Sequence, residues 1–516
     1  MRIDWVTIRD FKNLREFHVD FDESQLTTVL IGRNGSGKSN LLEALVLIFR
    51  DLDLEEMPSF AYEIQYLCRK RRVLISADPK RPKDRVRVTL DGEPLPFRRF
   101  LDRKRELLPN YVFAYYSGPA NRLEKHFDQH QNLFYKALLD GESQPLRPLF
   151  YARPIHSQFV LLAYFSFPSK TSTDFLKQKF GIAGLDSILF VLREPYWARN
   201  RESRPDGNPL FWGARGVVSR FLDALFDGCL APTSRKVRVA QSYRGQSQEE
   251  EHQYLFLPNV ASLQKLAKQY GNNLDFFKNL ESTYISELIH EVRIRVRKEN
   301  VDGSITFREL SEGEQQLLAV RGLLSFTYDE ESLFLMDEPD THLNPAWKYE
   351  YLDILEDVVG SQQTSHLIIA THDPLLIGGL PRSQVQMFET KAGAVSARPP
   401  EEDPRGMGID GLLRSELFGL ASTLDVHTQE KFDRRRELFA KKHRTKKEDK
   451  ELRQLSDELA ELGISRTIRD PLYDKFVRAY SRRTVSKKRQ LTSEDLQTQN
   501  KIAEEVLDEI LAKESH

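Results

Sequence analysis

Gly32-Arg33-Asn34-Gly35-Ser36-Gly37-Lys38-Ser39 has the glycine-rich form G-x-x-x-x-G-K-S. The apolar run Val29-Leu30-Ile31 precedes it, and Ser39-Asn40-Leu41-Leu42-Glu43-Ala44-Leu45 opens an amphipathic helical pattern behind it. Strand, loop and helix in that order are the context a phosphate loop needs and a chance match lacks. Glycines let the backbone approach a phosphate chain closely and take angles closed to other residues. The amides of Gly35, Ser36, Gly37 and Lys38, with the positive end of the helix, can surround phosphates. Lys38 is placed to bridge the β- and γ-phosphates and Ser39 to hold Mg²⁺. Asn34 and Asn40 complete the candidate ATP contacts.

Three further motifs follow in fixed order, far downstream. Leu310-Ser311-Glu312-Gly313-Glu314 looks like an ABC-type signature, Leu333-Phe334-Leu335-Met336-Asp337-Glu338-Pro339 is an apolar strand ending in two carboxylates, and Ile368-Ile369-Ala370-Thr371-His372-Asp373 is a strand ending in a histidine. Adjacent carboxylates at a strand end are costly without a cation. Asp337 therefore fits a second Mg²⁺ contact, and Glu338 a general base for the attacking water. His372 is placed to sense the γ-phosphate and position that water. Lys38, Glu338 and His372 are the candidate catalytic set.

The motifs are separated by some 270 residues, so the core is split. The expected fold is α/β: an ABC-type ATPase head with an antiparallel β layer, plus a helical insert and a helical C-terminal region. Residues 1–120 hold the first part of the core and 121–288 the mostly helical insert. Residues 289–397 hold the second part and 398–516 a charged helical partner-binding region. Within the first part, residues 2–21 read as two strands around Lys12-Asn13-Leu14. Residues 60–100 alternate and are rich in Arg and Lys, with turns at Asp78-Pro79-Lys80 and Asp91-Gly92-Glu93. Tyr111 to Gly118 reads as the next core strand. Val292–Val296 and Ile305-Thr306-Phe307 read as a hairpin turning at Asp302-Gly303. Residues 427–463 read as a charged helical hairpin and 484–516 as a further helix.

Composition narrows the class. The chain has 516 residues, 76 Lys and Arg against 77 Asp and Glu, and a formal net charge of −1. No overall positive field draws it to nucleic acid, so such contact must come from local patches or a partner. No apolar run is long enough to span a bilayer and no signal-peptide pattern is present, which predicts a cytoplasmic protein without a membrane partner. Cys68 and Cys229 are too few and too far apart for a disulfide framework or a zinc cluster.

Asn34 within the loop, the early segment Ile8-Arg9-Asp10-Phe11-Lys12-Asn13-Leu14 and the split core resemble the SMC/RecF branch of ABC-type ATPases. Asp337-Glu338-Pro339-Asp340-Thr341-His342-Leu343-Asn344-Pro345 resembles the AAA15/AAA21, OLD-like defence ATPases more closely. Ser415-Glu416-Leu417-Phe418-Gly419-Leu420, Asp433-Arg434-Arg435-Arg436-Glu437-Leu438 and Arg469-Asp470-Pro471-Leu472-Tyr473 look like the PtuA-like ATPases of Septu antiphage systems, also found beside some retrons.

The resemblance implies a head-to-head dimer with two ATPs between subunits, Ser311 and Gly313 touching the γ-phosphate bound by the other chain. It also implies a separate HNH-type nuclease held by the C-terminal region. DNA is reached through that complex and, in retron-linked members, a reverse transcriptase with its RNA/DNA is a further partner. Glu312 and Glu314 stand where glycine and glutamine are common, and Asn344 where aspartate is common, which points to slow hydrolysis. No glutamine for coupling a lid to the metal is evident; Gln65 is the nearest candidate. A nuclease of the OLD type needs a Glu and an Asp-x-Asp pair at strand ends. Glu416 and Asp433 read as helical, so no nuclease site is expected in this chain. Two other readings fit the same motifs: a scaffold that stores and releases a non-nuclease toxin, and a stand-alone DNA-repair ATPase of the RecF/SMC type.

Overall fold

The computed structural model describes residues 1–516 except 23, 119–121, 143–146, 200–205, 241–246, 300–302, 328–330, 360–363, 392, 463–475, 477–478, 481–482, 484–492 and 515–516. The chain divides into two compact units. The first is Met1–Leu376 with Ser383–Pro399, and the second is Ile377–Arg382 with Pro400–His516.

The first unit is built on a seven-stranded sheet. Its strands lie in the order Ala394–Arg398, Val385–Lys391, Thr27–Gly32, His366–Ala370, Ser332–Asp337, Tyr111–Tyr116, Leu149–Tyr151. All run parallel except the edge strand Ala394–Arg398. Parallel strands are covered on both faces, which is why they read as unbroken apolar runs rather than alternation. Every residue of Ser332–Asp337 and of His366–Ala370 is buried. The register sets Asp337 beside Ala370 on one side and Tyr116 on the other.

A six-stranded antiparallel sheet lies against this core in the order Leu14–Asp20, Arg2–Phe11, Tyr62–Cys68, Arg71–Ala77, Val86–Leu90, Glu93–Leu95. One face is buried, so Tyr62–Cys68 alternates strictly between buried and half-buried residues. Helix Lys38–Asp53 packs into the same apolar core as both sheets, with Ile3, Ile64 and Ile75 from one and Leu335 and Ile368 from the other. A helix covered on several sides loses its polar face. Twelve of its sixteen residues are buried accordingly.

The segment between the two halves of the core is helical over Asp128–Leu139, Pro154–Ser166, Lys170–Phe180, Gly216–Gly228, Val260–Ala267 and Asn273–Ile285. It also carries strands that the sequence reading does not place. Ile182–Arg193, Ser247–Leu257 and Leu230–Ala240 join Ile289–Lys298 and Ile305–Thr306 in a third, antiparallel sheet, and Leu149–Tyr151 closes an edge of the central sheet. The hairpin before the signature pairs Val296 with Ile305. Phe307 leaves the strand for a single 3₁₀ turn, and Asp302 of its expected turn lies outside the described residues.

The second unit contains the helical hairpin Val426–Ala440 and Lys446–Glu461 and the helix Ser493–Glu514. Asp425 caps the first helix, and Thr445 with Glu448 forms a capping box on the second. Arg434 meets Glu451 at 2.7 Å, Lys431 meets Glu458 at 2.7 Å and Arg444 meets Asp449 at 2.8 Å. Much of the basic character of this hairpin is therefore balanced across its own seam. Asp433 is helical, whereas Glu416 is not: it follows helix Gly408–Arg414 and accepts the backbone N–H of Glu401. The stretch Arg469 to Tyr473 lies outside the described residues. Among the described residues no helix is long and apolar enough to cross a membrane, and no group of three His, Cys, Asp or Glu is placed to hold a metal.

Candidate functional site

The loop Gly32–Ser39 leaves the carboxyl end of a central strand. Gly35 and Gly37 take left-handed angles, with φ of 79° and 105°, which glycine adopts at no steric cost. A Cβ on Gly37 would also lie 2.9 Å from Leu14 Cδ2. The turn between the first two strands braces the loop. Asn13 donates its side-chain amide to the Gly35 carbonyl at 3.0 Å and accepts from the Asn40 amide at 2.6 Å. Lys38 folds back to donate to the Gly32 carbonyl at 2.7 Å. Burial pushes its ammonium below the usual lysine range, against the attraction of Glu338 and Asp337.

Asp337 ends its strand facing this loop. The Ser39 hydroxyl donates to its Oδ1 at 3.0 Å, while its Oδ2 is buried with no hydrogen-bond partner. Burial raises the carboxyl above the usual aspartate range, opposed by Ser39, Arg122 and Lys38. An unpartnered buried carboxylate oxygen is expensive. Oxygen donors from Ser39 and Asp337 are the chemistry a hard divalent cation takes, so the residues present fit Mg²⁺. Ser36 Oγ is likewise buried without a partner inside the loop.

Glu338 follows in a left-handed conformation, φ 54°, rare for a residue with a side chain. Its N–H is held by the Ala370 carbonyl at 2.8 Å, and its own carbonyl accepts from the Thr341 hydroxyl at 2.9 Å. The strained backbone turns the carboxylate toward His372, whose Nδ1 lies 2.5 Å from Oε2. The two atoms are in close contact without hydrogen-bond alignment. Burial, more than any neighbour, raises the Glu338 carboxyl. Behind them Asp340 accepts from the Thr371 hydroxyl at 3.0 Å, and Lys348 meets Asp373 at 2.6 Å.

Lys38, Ser39, Asp337, Glu338 and His372 thus converge. Ser311 and Gly313 do not join them: no hydrogen bond or ion pair links either to the phosphate loop among the described residues. Instead the Ser311 N–H donates to Glu314 Oε2 at 2.7 Å, and the Glu314 N–H to Ser311 Oγ at 3.2 Å. This is a reciprocal cap on helix Glu312–Thr327. Glu314 also pairs with Lys298 at 2.8 Å, and Glu312 meets His342 at 3.1 Å. Gly313 is pressed so closely on the His342 carbonyl that a Cβ would collide with it. Both glutamates of the signature therefore have local partners.

Gln65 is not a lid glutamine at this site. It lies mid-strand in Tyr62–Cys68, and its amide is spent on Asp4 Oδ2 at 2.8 Å. Sequence reasoning also overlooks Arg122. Its guanidinium donates to Asn40 Oδ1, stands 3.5 Å from Glu43 and acts on the charge of Asp337. Glu43, buried in the first turns of the loop helix, gathers Lys12, Arg122 and His126.

Residues 1–84 match the "AAA ATPase domain" family, and residues 233–378 match the family described as "AAA domain, putative AbiEii toxin, Type IV TA system". Over 227 residues the chain is 27% identical to the Septu protein PtuA of Bacillus mycoides (strain KBAB4), covering 40% of this chain and 31% of that protein. It is 32% identical over 94 residues to protein ea59 of Escherichia phage lambda, 18% of each chain. It is 42% identical over 48 residues to the DNA replication and repair protein RecF of Lactobacillus acidophilus (strain ATCC 700396 / NCK56 / N2 / NCFM), 9% of this chain and 12% of that one. The chain spans less than a third of the length of these relatives. Among solved structures, the SMC head domain from Thermotoga maritima covers 78% of this chain and 100% of its own at 13% identity, with a TM-score of 0.34, too low to carry weight. The two family matches fall on both halves of the split core, one over the phosphate loop and the other over the strand that ends in Asp337 and Glu338.

Proposed function

We propose that this chain is an ATP-controlled switch, the ATPase subunit of a Septu-like antiphage system. It closes head to head with a second copy on ATP and governs a separate HNH-type nuclease held through residues 398–516. The observation that carries the ATP reading is the buried, unpartnered Oδ2 of Asp337 beside the Ser39 hydroxyl. The similarity to PtuA supports the assignment to defence.

Bound MgATP supplies the transferable γ-phosphoryl group and a divalent charge to polarise it. The chain supplies the rest. Loop amides from Gly35 to Lys38, with Asn34, Ser36 and Asn40, cradle the phosphates, and the Lys38 ammonium swings from the Gly32 carbonyl to neutralise them. Ser39 and Asp337 would hold the metal. Glu338 accepts the proton of the attacking water, and His372 orients that water and Glu338 together. Ser311 and Gly313, unattached to their own loop, reach the phosphate of the second copy. ATP that binds only the closed pair favours closure by mass action.

Two measurements test this. The purified chain is expected to double in mass on adding MgATP under conditions that block turnover; a monomer at saturating ATP sinks the head-to-head arrangement. A tagged chain isolated from its host is expected to retain a small HNH-type protein, lost when residues 401–516 are removed. Recovery of a non-nuclease toxin instead overturns the nuclease assignment.

A further inference from the structure

The charge of this chain is sharply uneven. Residues 69–105 hold fourteen Lys and Arg against five Asp and Glu, a net of +9, while the other 479 residues carry −10. This segment is the outer end of the six-stranded antiparallel sheet.

The fold concentrates part of that charge further. Lys80, Lys83 and Arg85 lie on the connection between strands Arg71–Ala77 and Val86–Leu90. Arg87 is exposed between buried Val86 and Val88. The next strand, Glu93–Leu95, pairs Leu95 with Val88 and runs back toward the same end. It delivers Arg98 and Arg99, both exposed, on helix Phe97–Asp102, which is pinned by buried Phe100. The connection is braced rather than loose. The Asp78 N–H donates to the Arg85 carbonyl at 2.8 Å, and Arg81 donates to the Ser76 carbonyl and hydroxyl at 3.1 and 2.8 Å. Other cations of the segment are spent: Arg71 on Asp91 at 2.6 Å, Arg103 on Glu106 at 2.9 Å, Lys104 on Glu55 at 3.1 Å. Lys80, Lys83, Arg85, Arg87, Arg98 and Arg99 have no carboxylate partner among the described residues.

We infer that this corner of the antiparallel sheet is a docking surface for the phosphate backbone of duplex nucleic acid. Cations that outnumber the carboxylates around them repel one another, and a polyanion relieves that repulsion while releasing its own counterions. Arginines dominate the segment, ten of its fourteen cations, and the planar guanidinium suits phosphate oxygens. An anionic membrane fits worse: none of the large exposed hydrophobics of the chain falls within 69–105, and interfacial binding wants an apolar anchor beside the charge. Contacts to phosphates carry no sequence information, so binding is expected to be sequence-independent. The inference needs neither nucleotide nor a second subunit, so its failure leaves the ATP reading untouched.

The test is fluorescence anisotropy of the full chain with a short labelled DNA duplex, without nucleotide, across about 50–200 mM salt. Affinity is expected to fall steeply with salt. The variant Lys80→Gln/Lys83→Gln/Arg85→Gln/Arg87→Gln is expected to bind at least about tenfold more weakly, with a log–log salt slope shallower by roughly 3, while ATP hydrolysis and melting temperature stay at wild-type values. A second variant, Lys441→Gln/Lys442→Gln/Arg444→Gln, is expected to bind duplex like wild type. Undiminished binding by the first variant, loss confined to the second, or binding to anionic vesicles but not to duplex would each overturn the proposal.

Discussion

The Nδ1 of His372 stands 2.5 Å from Oε2 of Glu338, joining the ends of two neighbouring parallel strands. Glu338 keeps this position only by holding a left-handed backbone. Such strain persists where surrounding structure over-determines it, commonly at functional sites. Here the Ala370 carbonyl and the Thr341 hydroxyl fix both of its peptide groups.

Glu338→Gln is expected to lower the ATP turnover number by about 10²–10⁴-fold, the usual range for a general base, with ATP affinity preserved. The wild-type rate should also have an acidic limb nearer neutrality than an ordinary glutamate gives. Burial raises this carboxyl, so the ionised base is lost at a higher pH as acid is added. Steady-state hydrolysis from pH 5 to 8, beside equilibrium nucleotide binding, checks both. A variant with wild-type turnover would remove Glu338 from the chemistry.

For Asp337→Asn the two consequences run in opposite directions. Burial raises the Asp337 carboxyl, so the native state holds its proton more tightly than the unfolded chain. Its charge therefore costs stability, and the cost grows as the pH rises from the ordinary aspartate range through the raised value. The neutral amide should melt at or above the wild-type temperature at pH 7 in the absence of nucleotide. Added MgATP should raise the wild-type melting temperature and leave that of the variant unchanged. Thermal melts with and without MgATP decide it.

The two signature glutamates illustrate how local chemistry can look like divergence. Glu314 caps helix Glu312–Thr327 reciprocally with Ser311 and pairs with Lys298. Gln can keep the cap, since the capping box accepts either residue. Glu314→Gln is expected to change stability by less than about 0.5 kcal/mol, whereas Glu314→Ala should cost about 1 kcal/mol. Denaturant midpoints on the two variants check the difference. Equal losses would mean that the ion pair, not the cap, fixes the residue.

The parts of the fold legible in the sequence are those whose burial leaves a simple pattern. Ser332–Asp337 and His366–Ala370 are covered on both faces and read as apolar runs, and Tyr62–Cys68 is covered on one face and alternates. Ile182–Arg193 defeats both templates, with buried residues in runs of two and three on a bulged strand. Ser247–Leu257 opens Ser-Gln-Glu-Glu-Glu, residues that favour strands poorly. Leu149–Tyr151 is three residues long and has meaning only beside Tyr111–Tyr116. At the site, the loop and the Asp337-Glu338 pair carry their own local signals. Arg122 has none, because Asn40, Glu43 and Asp337 meet it only through the fold.

Removing that guanidinium should show itself through the metal. Arg122 helps hold the Asp337 carboxyl down against burial, so Arg122→Ala should raise that carboxyl further and let protons compete better with Mg²⁺. The Mg²⁺ concentration for half-maximal hydrolysis is expected to rise several-fold at pH 6 and less at pH 8. Arg122→Lys, which keeps the charge, should recover most of the loss. A pH-independent drop in rate that lysine does not relieve would mark the residue as structural.

Glu43 offers the clearest link between the antiparallel sheet and the phosphate loop. Its side chain is 3% exposed, yet it carries a charge. Burial alone would raise its carboxyl; His126 at 2.9 Å and Lys12 outweigh that and hold it at about 2. The lowered value means that its stabilisation is complete above the ordinary glutamate value of 4.5 and is lost as the pH falls toward about 2. The depression corresponds to about 3 kcal/mol. Glu43→Gln should therefore lose roughly that much stability at pH 7 and converge on the wild type in strong acid. Because Lys12 adjoins Asn13, which braces Gly35, the same variant should weaken ATP binding more than melting alone explains. Denaturant unfolding from pH 3 to 7, paired with nucleotide titration well below the melting temperature, separates the two effects. Intact ATP affinity in a destabilised variant would confine Glu43 to the core.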